Sequence, residues 1–378
     1  MVNGICKAFS ENIVDCPCPT LRVMACFVVC LPNIDQPPNS VYDSPAMMIH
    51  SNSASAWNAC KRRLIATAVA FWILILASSA AAQQTPNKTP ESKTQVVLLG
   101  TGNPFPDPDR SGPATAIVVN GSAYLVDFGA GVVRRAKAAM FDKGIAALEP
   151  TNLKVVFATH LHSDHTVGYP DLIFTPWVMG RKFPLEVYGP KGLKAMTDHI
   201  LAAWHEDIEE RIATETWQSP DYRENYKVNV HEIGVGMVYK DANVTVTAFP
   251  TKHTFPETYG YRFDTADRSI VISGDTSPTQ ATVDACHGCD VLIHEVQTLE
   301  SLAKRKDFQA YVAKHHTNTT ELAELAGKAK PRLLIVYHAS IVQRPGLRPQ
   351  ASSPEQALKE VLSGYAGEVV IGRDLDVY

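Results

Sequence analysis

The stretch that most constrains this chain is "THLHSDHTVG", Thr159 to Gly168, which sets His160, His162, Asp164 and His165 within six positions. Four such groups packed together repel one another or require costly desolvation unless something positive binds them. Imidazole and carboxylate without thiolate suit zinc, iron, manganese or nickel. A tetrahedral zinc needs about four ligands, gathered from separate segments. The fold must therefore bring further ligands to this stretch.

The segments around it have the pattern that does this. "QVVLLGTG", "ATAIVVNGSAYLVDFG" and "LKVVFATH" are strand-like, with β-branched residues bounded by Gly, Asn or Asp. "LKAMTDHILAAWHEDIEERI" has the apolar spacing of one helix. "VNVHEI", "GMVYKDANVTVTAFP" and "TYGYRFDTADRSIVISGD" read as antiparallel strands joined by tight turns. "VLIHEV" and "RLLIVYHA" are strands separated by the helical "TTELAELAGKAK"; a short helix from Pro354 and the strand "EVVIG" follow. Many strands with interspersed helices predict an α/β or α+β layered fold.

Only 13 of 378 residues are histidine, yet histidines and acids recur at the C-terminal ends of the strand-like runs. His160, His162, Asp164 and His165 follow "KVVFA"; His253 follows "VTVTAFPTK"; Asp275 follows "SIVISG"; His294 and Glu295 follow "VLI"; His338 follows "RLLIVY". Strand ends facing loops are where side chains from distant parts of a chain converge. Seven candidates exceed one site and suit two metals sharing a carboxylate: His160, His162, Asp164, His165, His253, Asp275 and His338. His199, His205, His231 and His287 each stand alone and read as structural.

"HLHSDHTVG" matches the H-x-H-x-D-H signature of the metallo-β-lactamase superfamily. "LLGTGNPFPDPDRSGPATAIVVNGSAYLVDFGAG", "FPTKHTFPETYGYRF", "VISGDTSP", "LIHEV" and "IVYHAS" resemble further motifs of its ribonuclease Z-like branch, which is similar to secreted metallo-type arylsulfatases. The resemblance spans about Val97 to Val377. It implies an α+β fold of the αββα sandwich type and two Zn²⁺, with Mn²⁺ or Fe²⁺ as substitutes. His160, His162 and His253 would hold the first ion, Asp164, His165 and His338 the second, and Asp275 would bridge them. Asp164 and Asp275 would orient the attacking water, and His316 would act on the leaving group. His315 and Thr317 replace the branch's Gly and Ser around His316, which makes His315 a competing choice. Asp127 and Glu295 would stand behind the ligands, fixing histidines through their other ring nitrogen. The implied activity is phosphodiester hydrolysis, with sulfate ester hydrolysis as the alternative. Lactone or β-lactam hydrolysis and metal binding without turnover are weaker options.

"KRRLIATAVAFWILILASSAAAQQ", Lys61 to Gln84, has the order of a secretory signal peptide, with a cut after Ala82. Residues 1–46 then read as an over-extended gene start, 47–82 as the signal, 83–93 as a linker and 94–378 as the hydrolase domain. The expected location is periplasmic or secreted, without stable membrane association after cleavage. Residues 83–378 carry 30 basic and 35 acidic side chains, a net of −5, whereas nucleic-acid binders usually show a basic excess. The branch's tRNA-clamping arm beside the third motif also has no counterpart between His253 and Asp275. These points favour a small phosphate or sulfate ester over tRNA, and a homodimer is compatible with such a chain. Phe174, Trp177, Met179 and Phe183 would either wall the substrate site or pack in the core, and core packing is the commoner fate. Cys286 and Cys289 are left open between a local disulfide and two small residues at a helix end.

Overall fold

The computed structural model describes residues 94–215, 217–344 and 346–378. The proposed start, signal, Ala82 cleavage site and linker, residues 1–93, lie outside them. Among the described residues no helix is long and apolar enough to cross a membrane.

Two sheets form the centre. The first has six strands in chain order: β1 (Thr94–Gly100), β2 (Ala114–Val119), β3 (Ser122–Val126), β4 (Val155–Phe157), β5 (Leu185–Gly189) and β6 (Val228–Glu232). The second runs from β7 (Gly236–Lys240) through β8 (Val244–Pro250), β9 (Tyr259–Thr265), β10 (Ser269–Ile272), β11 (Val291–Glu295) and β12 (Leu333–Tyr337) to β13 (Val369–Ile371).

Period-two alternation builds the layers. In β1, Val96 and Leu98 face the second sheet, while Val97 and Leu99 face helices. In β12, Ile335 and Tyr337 join the same inter-sheet core, while Leu334 and Val336 turn outward. Both faces are buried, which is why these strands are continuous apolar runs rather than alternating ones. Helices α1 (Val132–Lys143), α2 (Ser163–Thr166), α3 (Tyr169–Val178), α4 (Leu193–Ala203), α5 (His205–Thr214) and α6 (Tyr222–Asn225) accompany the first sheet. Helices α7 (Gln280–Cys286), α8 (Leu299–Lys304), α9 (Lys306–His315), α10 (Thr319–Ala329) and α11 (Pro354–Leu362) accompany the second. Val133 and Ala136 cover one outer face, and Leu322, Ala326 and Val361 the other. The result is the expected αββα sandwich.

Two local expectations are corrected, and two open alternatives are decided. The helix predicted through "LKAMTDHILAAWHEDIEERI" breaks at Trp204, whose backbone leaves helical geometry (φ −100°, ψ 17°). Its indole stacks on Phe174 at 5.4 Å. "VNVHE" pairs in parallel with β5 rather than antiparallel with the strand after it, because Gly236 (φ +119°) carries the chain into the other sheet. Trp177 is fully buried and stacks on Tyr222, and Phe174 is 7% exposed, so core packing is their role. Cys286 and Cys289 are bonded to each other and both buried, which resolves that pair as a disulfide.

Strand direction positions the site. Parallel β10, β11 and β12 all end on one edge, where Asp275 follows β10, Glu295 ends β11 and His338 follows β12. Strands β4 and β8 bring His160 and His253 to the same place.

Candidate metal centre

The backbone of the opening stretch changes form halfway along. His160 and His162 lie on extended chain after β4, and His162 (ψ 148°) caps the four-residue α2. Asp164 and His165 sit in the single turn of α2, and the His165 ring packs 4.2 Å from the His160 ring. Gly168 closes the stretch, its N–H donating to the Phe128 carbonyl at 3.0 Å. A Cβ there would stand 2.3 Å from the Gly129 oxygen, so only glycine fits.

Two groups of ligand atoms result. His160 Nε2 and His253 Nε2 lie 3.0 and 3.1 Å from His162 Nδ1. His338 Nε2 lies 3.1 Å from both His165 Nε2 and Asp164 Oδ2. Asp275 stands between them: its Oδ1 is 3.4 Å from His165 Nε2 and its Oδ2 3.9 Å from His253 Nε2. Its Oδ1 is buried without a hydrogen-bond donor.

The surrounding bonds fix which nitrogen of each ring carries a proton. His253 Nδ1–H donates to the His315 carbonyl at 2.7 Å. His165 Nδ1–H donates to Asp127 Oδ2 at 2.8 Å. The Thr159 hydroxyl donates to Asp127, which leaves it to accept from His160 Nδ1 at 3.0 Å. The Nε2 atoms of all three rings therefore turn inward. Burial, together with neighbouring His165, pushes the His160 imidazole well below its usual range, and burial also lowers His162 and His253. Neutral rings with converging lone pairs are the state that a metal ligand needs. Burial opposes protonation of His165 as well, yet Asp275 and Asp127 hold that ring well above the imidazole range. Asp275, despite complete burial, is kept well below the carboxylate range by His338 and His165. A buried carboxylate among such rings calls for a cation, and the inward lone pairs and unpartnered Oδ1 fit metal ions there.

Asp127 and His338 adopt left-handed backbone (φ +61° and +48°), a strain held by the packing around them. Asp127 accepts from the Thr159 N–H at 2.8 Å, besides fixing His165. Glu295 differs from expectation: it holds His316 rather than one of the seven candidates, with Oε1 2.9 Å from His316 Nδ1. The Thr276 and Thr317 N–H groups also donate to it. Burial lowers the His316 pKa, but Glu295 and then Asp275 more than offset this and raise it to about 9. His316 lines the cavity over the centre; His315 does not, and contributes its carbonyl to His253 instead. His294 faces away from the cluster, its Nδ1 bonded to the Glu295 carbonyl. His199 and His205 are exposed, His231 pairs with Glu186, and His287 ends α7.

The cavity has a volume of about 410 Å³. None of Phe174, Trp177, Met179 or Phe183 lines it; its apolar wall is Phe105, Phe308 and Tyr311. Arg305 and Arg348 also line it. Phe105 lies within the opening motif, whereas no motif marked Arg305, Phe308, Tyr311 or Arg348.

A family model described as a beta-lactamase superfamily domain matches residues 123–339, more than half of the chain. The chain is 39% identical over 250 residues to a ribonuclease Z of Mycobacterium sp. (strain KMS), covering 65% of this chain and 83% of that one. Among solved structures, the metallo-β-lactamase fold protein YhfI from Bacillus subtilis aligns with a TM-score of 0.56 at 19% identity, over 75% of this chain and 98% of that one. Human tRNase Z, short form, aligns with a TM-score of 0.53 at 23% identity, over 75% and 98%. These relatives overturn the expectation that tRNA is an unlikely partner. Net charge was a poor guide because it averages the whole surface, whereas the cavity over the centre is lined by Arg305 and Arg348. The chain belongs to the metallo-β-lactamase superfamily, in its ribonuclease Z family, and is a metal-dependent hydrolase.

Proposed function

We propose that this protein hydrolyses phosphodiester bonds of RNA with two zinc ions at the centre. The observation that carries this reading is Asp275, whose two oxygens face the two ligand groups separately. His160, His162 and His253 would hold one ion and Asp164, His165 and His338 the other. When bound, such ions lower the pKa of water and offset negative charge on the phosphoryl oxygens.

The chain's own residues do the rest. Asp164 and Asp275 accept hydrogen bonds from the attacking water and orient it. Asp127 keeps His165 in register through its Nδ1–H. His316, held protonated by Glu295, donates a proton to the departing oxygen from its other ring nitrogen. The family's ribonuclease Z relatives support the phosphodiester substrate, tRNA among the RNAs to be tried.

Turnover of bis-(p-nitrophenyl) phosphate and of an RNA with a 3′ extension is expected, abolished by chelation and restored by Zn²⁺. Turnover of p-nitrophenyl sulfate alone would overturn the reading.

We also propose that the protein is exported. The order of Lys61 to Gln84 and the Cys286–Cys289 disulfide support this, since disulfides persist in oxidising compartments. Sequencing of the mature N-terminus is expected to begin at Gln83; a product that retains Val2 contradicts it.

A further inference from the structure

One wall of the cavity carries groups that the hydrolytic chemistry does not use. Arg305, between α8 and α9, stacks over Phe308, its Cζ 4.2 Å from the ring centroid. Arg348, in the loop after β12, stacks over Phe105 at 5.0 Å. Stacking holds a guanidinium plane flat and leaves its N–H edge for an acceptor.

Neither edge is matched by a firm protein partner. Among the described residues, Arg305 has only Asp307, 3.8 Å away and 79% exposed. Among the described residues, the Arg348 guanidinium meets no acceptor. The two cations also oppose one another: burial and then Arg305 lower the Arg348 pKa. Like charges brought to one cavity are unfavourable until an anion sits between them. Beside them, Phe308 and Tyr311 stack at 5.2 Å and 25°, and Tyr311 continues to His316 at 5.5 Å. Aromatic rings therefore line the wall from the arginines to the metal centre, Tyr311 tilted by 52° to His316, and such rings stack nucleobases.

We propose that Arg305 and Arg348 form a second anion subsite, which holds the phosphate next to the scissile one while Phe308 and Tyr311 stack the intervening base. The preferred ligand is then a nucleotide unit with two phosphates rather than an isolated ester. This rests on the phosphodiesterase reading.

The test is calorimetry on the full metal-loaded chain with adenosine 5′-monophosphate and adenosine 3′,5′-bisphosphate. The bisphosphate is expected to bind at least about tenfold more tightly, one or two charge-assisted hydrogen bonds being worth that much. In R305Q/R348Q that ratio is expected to fall to about one while metal content is retained. The single variant R348Q removes a side chain that makes no hydrogen bond among the described residues, so it serves if the double variant is unstable; the ratio falls there too. Phe308→Leu is expected to weaken both nucleotides alike. Equal affinities in the parent protein, or a preference that survives in R305Q/R348Q or R348Q, overturn the subsite. Failure of the hydrolytic reading is seen separately: selective binding of the bisphosphate with no cleavage of bis-(p-nitrophenyl) phosphate leaves the subsite standing and removes the reaction.

Discussion

Asp275→Ala is expected to lose at least one metal ion and, with it, turnover of bis-(p-nitrophenyl) phosphate. The side chain is 4% exposed, and its Oδ1 has no hydrogen-bond donor, so nothing but the centre explains its charge. Replacement by alanine leaves His165, His338 and His253 facing a site without its shared anion. The loss in metal affinity should exceed the roughly 10–100-fold that partners behind a ligand typically cost. Asp275→Asn keeps the shape and removes the charge, and it should fail in the same way. An Asp275→Ala protein with full metal content and turnover would remove the bridging role.

His316→Ala is expected to behave in the opposite manner, keeping its metal and losing about 10²–10⁴-fold in kcat, the usual contribution of a positioned proton donor. His316 lies near His253 and Asp275, close enough to be mistaken for a ligand. The nitrogen on that side is Nδ1, 4.0 Å from Asp275 Oδ2, and it is already bonded to Glu295 at 2.9 Å. A nitrogen whose proton is committed to a carboxylate offers no lone pair to a metal. Metal analysis beside kcat separates the roles: loss of metal from His316→Ala would make it a ligand and reassign the first site.

Much of this was legible before the fold was known. The apolar runs alternate residue by residue between two cores, and their C-terminal ends carry the acids and histidines. The parallel pairing of β10, β11 and β12, which brings Asp275 and His338 together, was supplied by the structure. What was not legible depends on partners rather than on local pattern. Period two identifies "VNVHE" as a strand but does not say that it pairs in parallel with β5. Glu295 reads as a support, yet only the folded chain shows that it supports His316. Arg305, Phe308 and Arg348 have no signature, because a cavity wall assembled from separate loops leaves no spacing in the chain. That is also why net charge pointed away from RNA while the cavity itself is lined by two arginines.

The central claim is a two-metal centre, and metal content by inductively coupled plasma mass spectrometry tests it most directly. The protein loaded with Zn²⁺ and freed of excess should hold two equivalents per chain, and Asp275→Ala at most one. Less than one equivalent in the parent protein, or two in Asp275→Ala, would contradict the account.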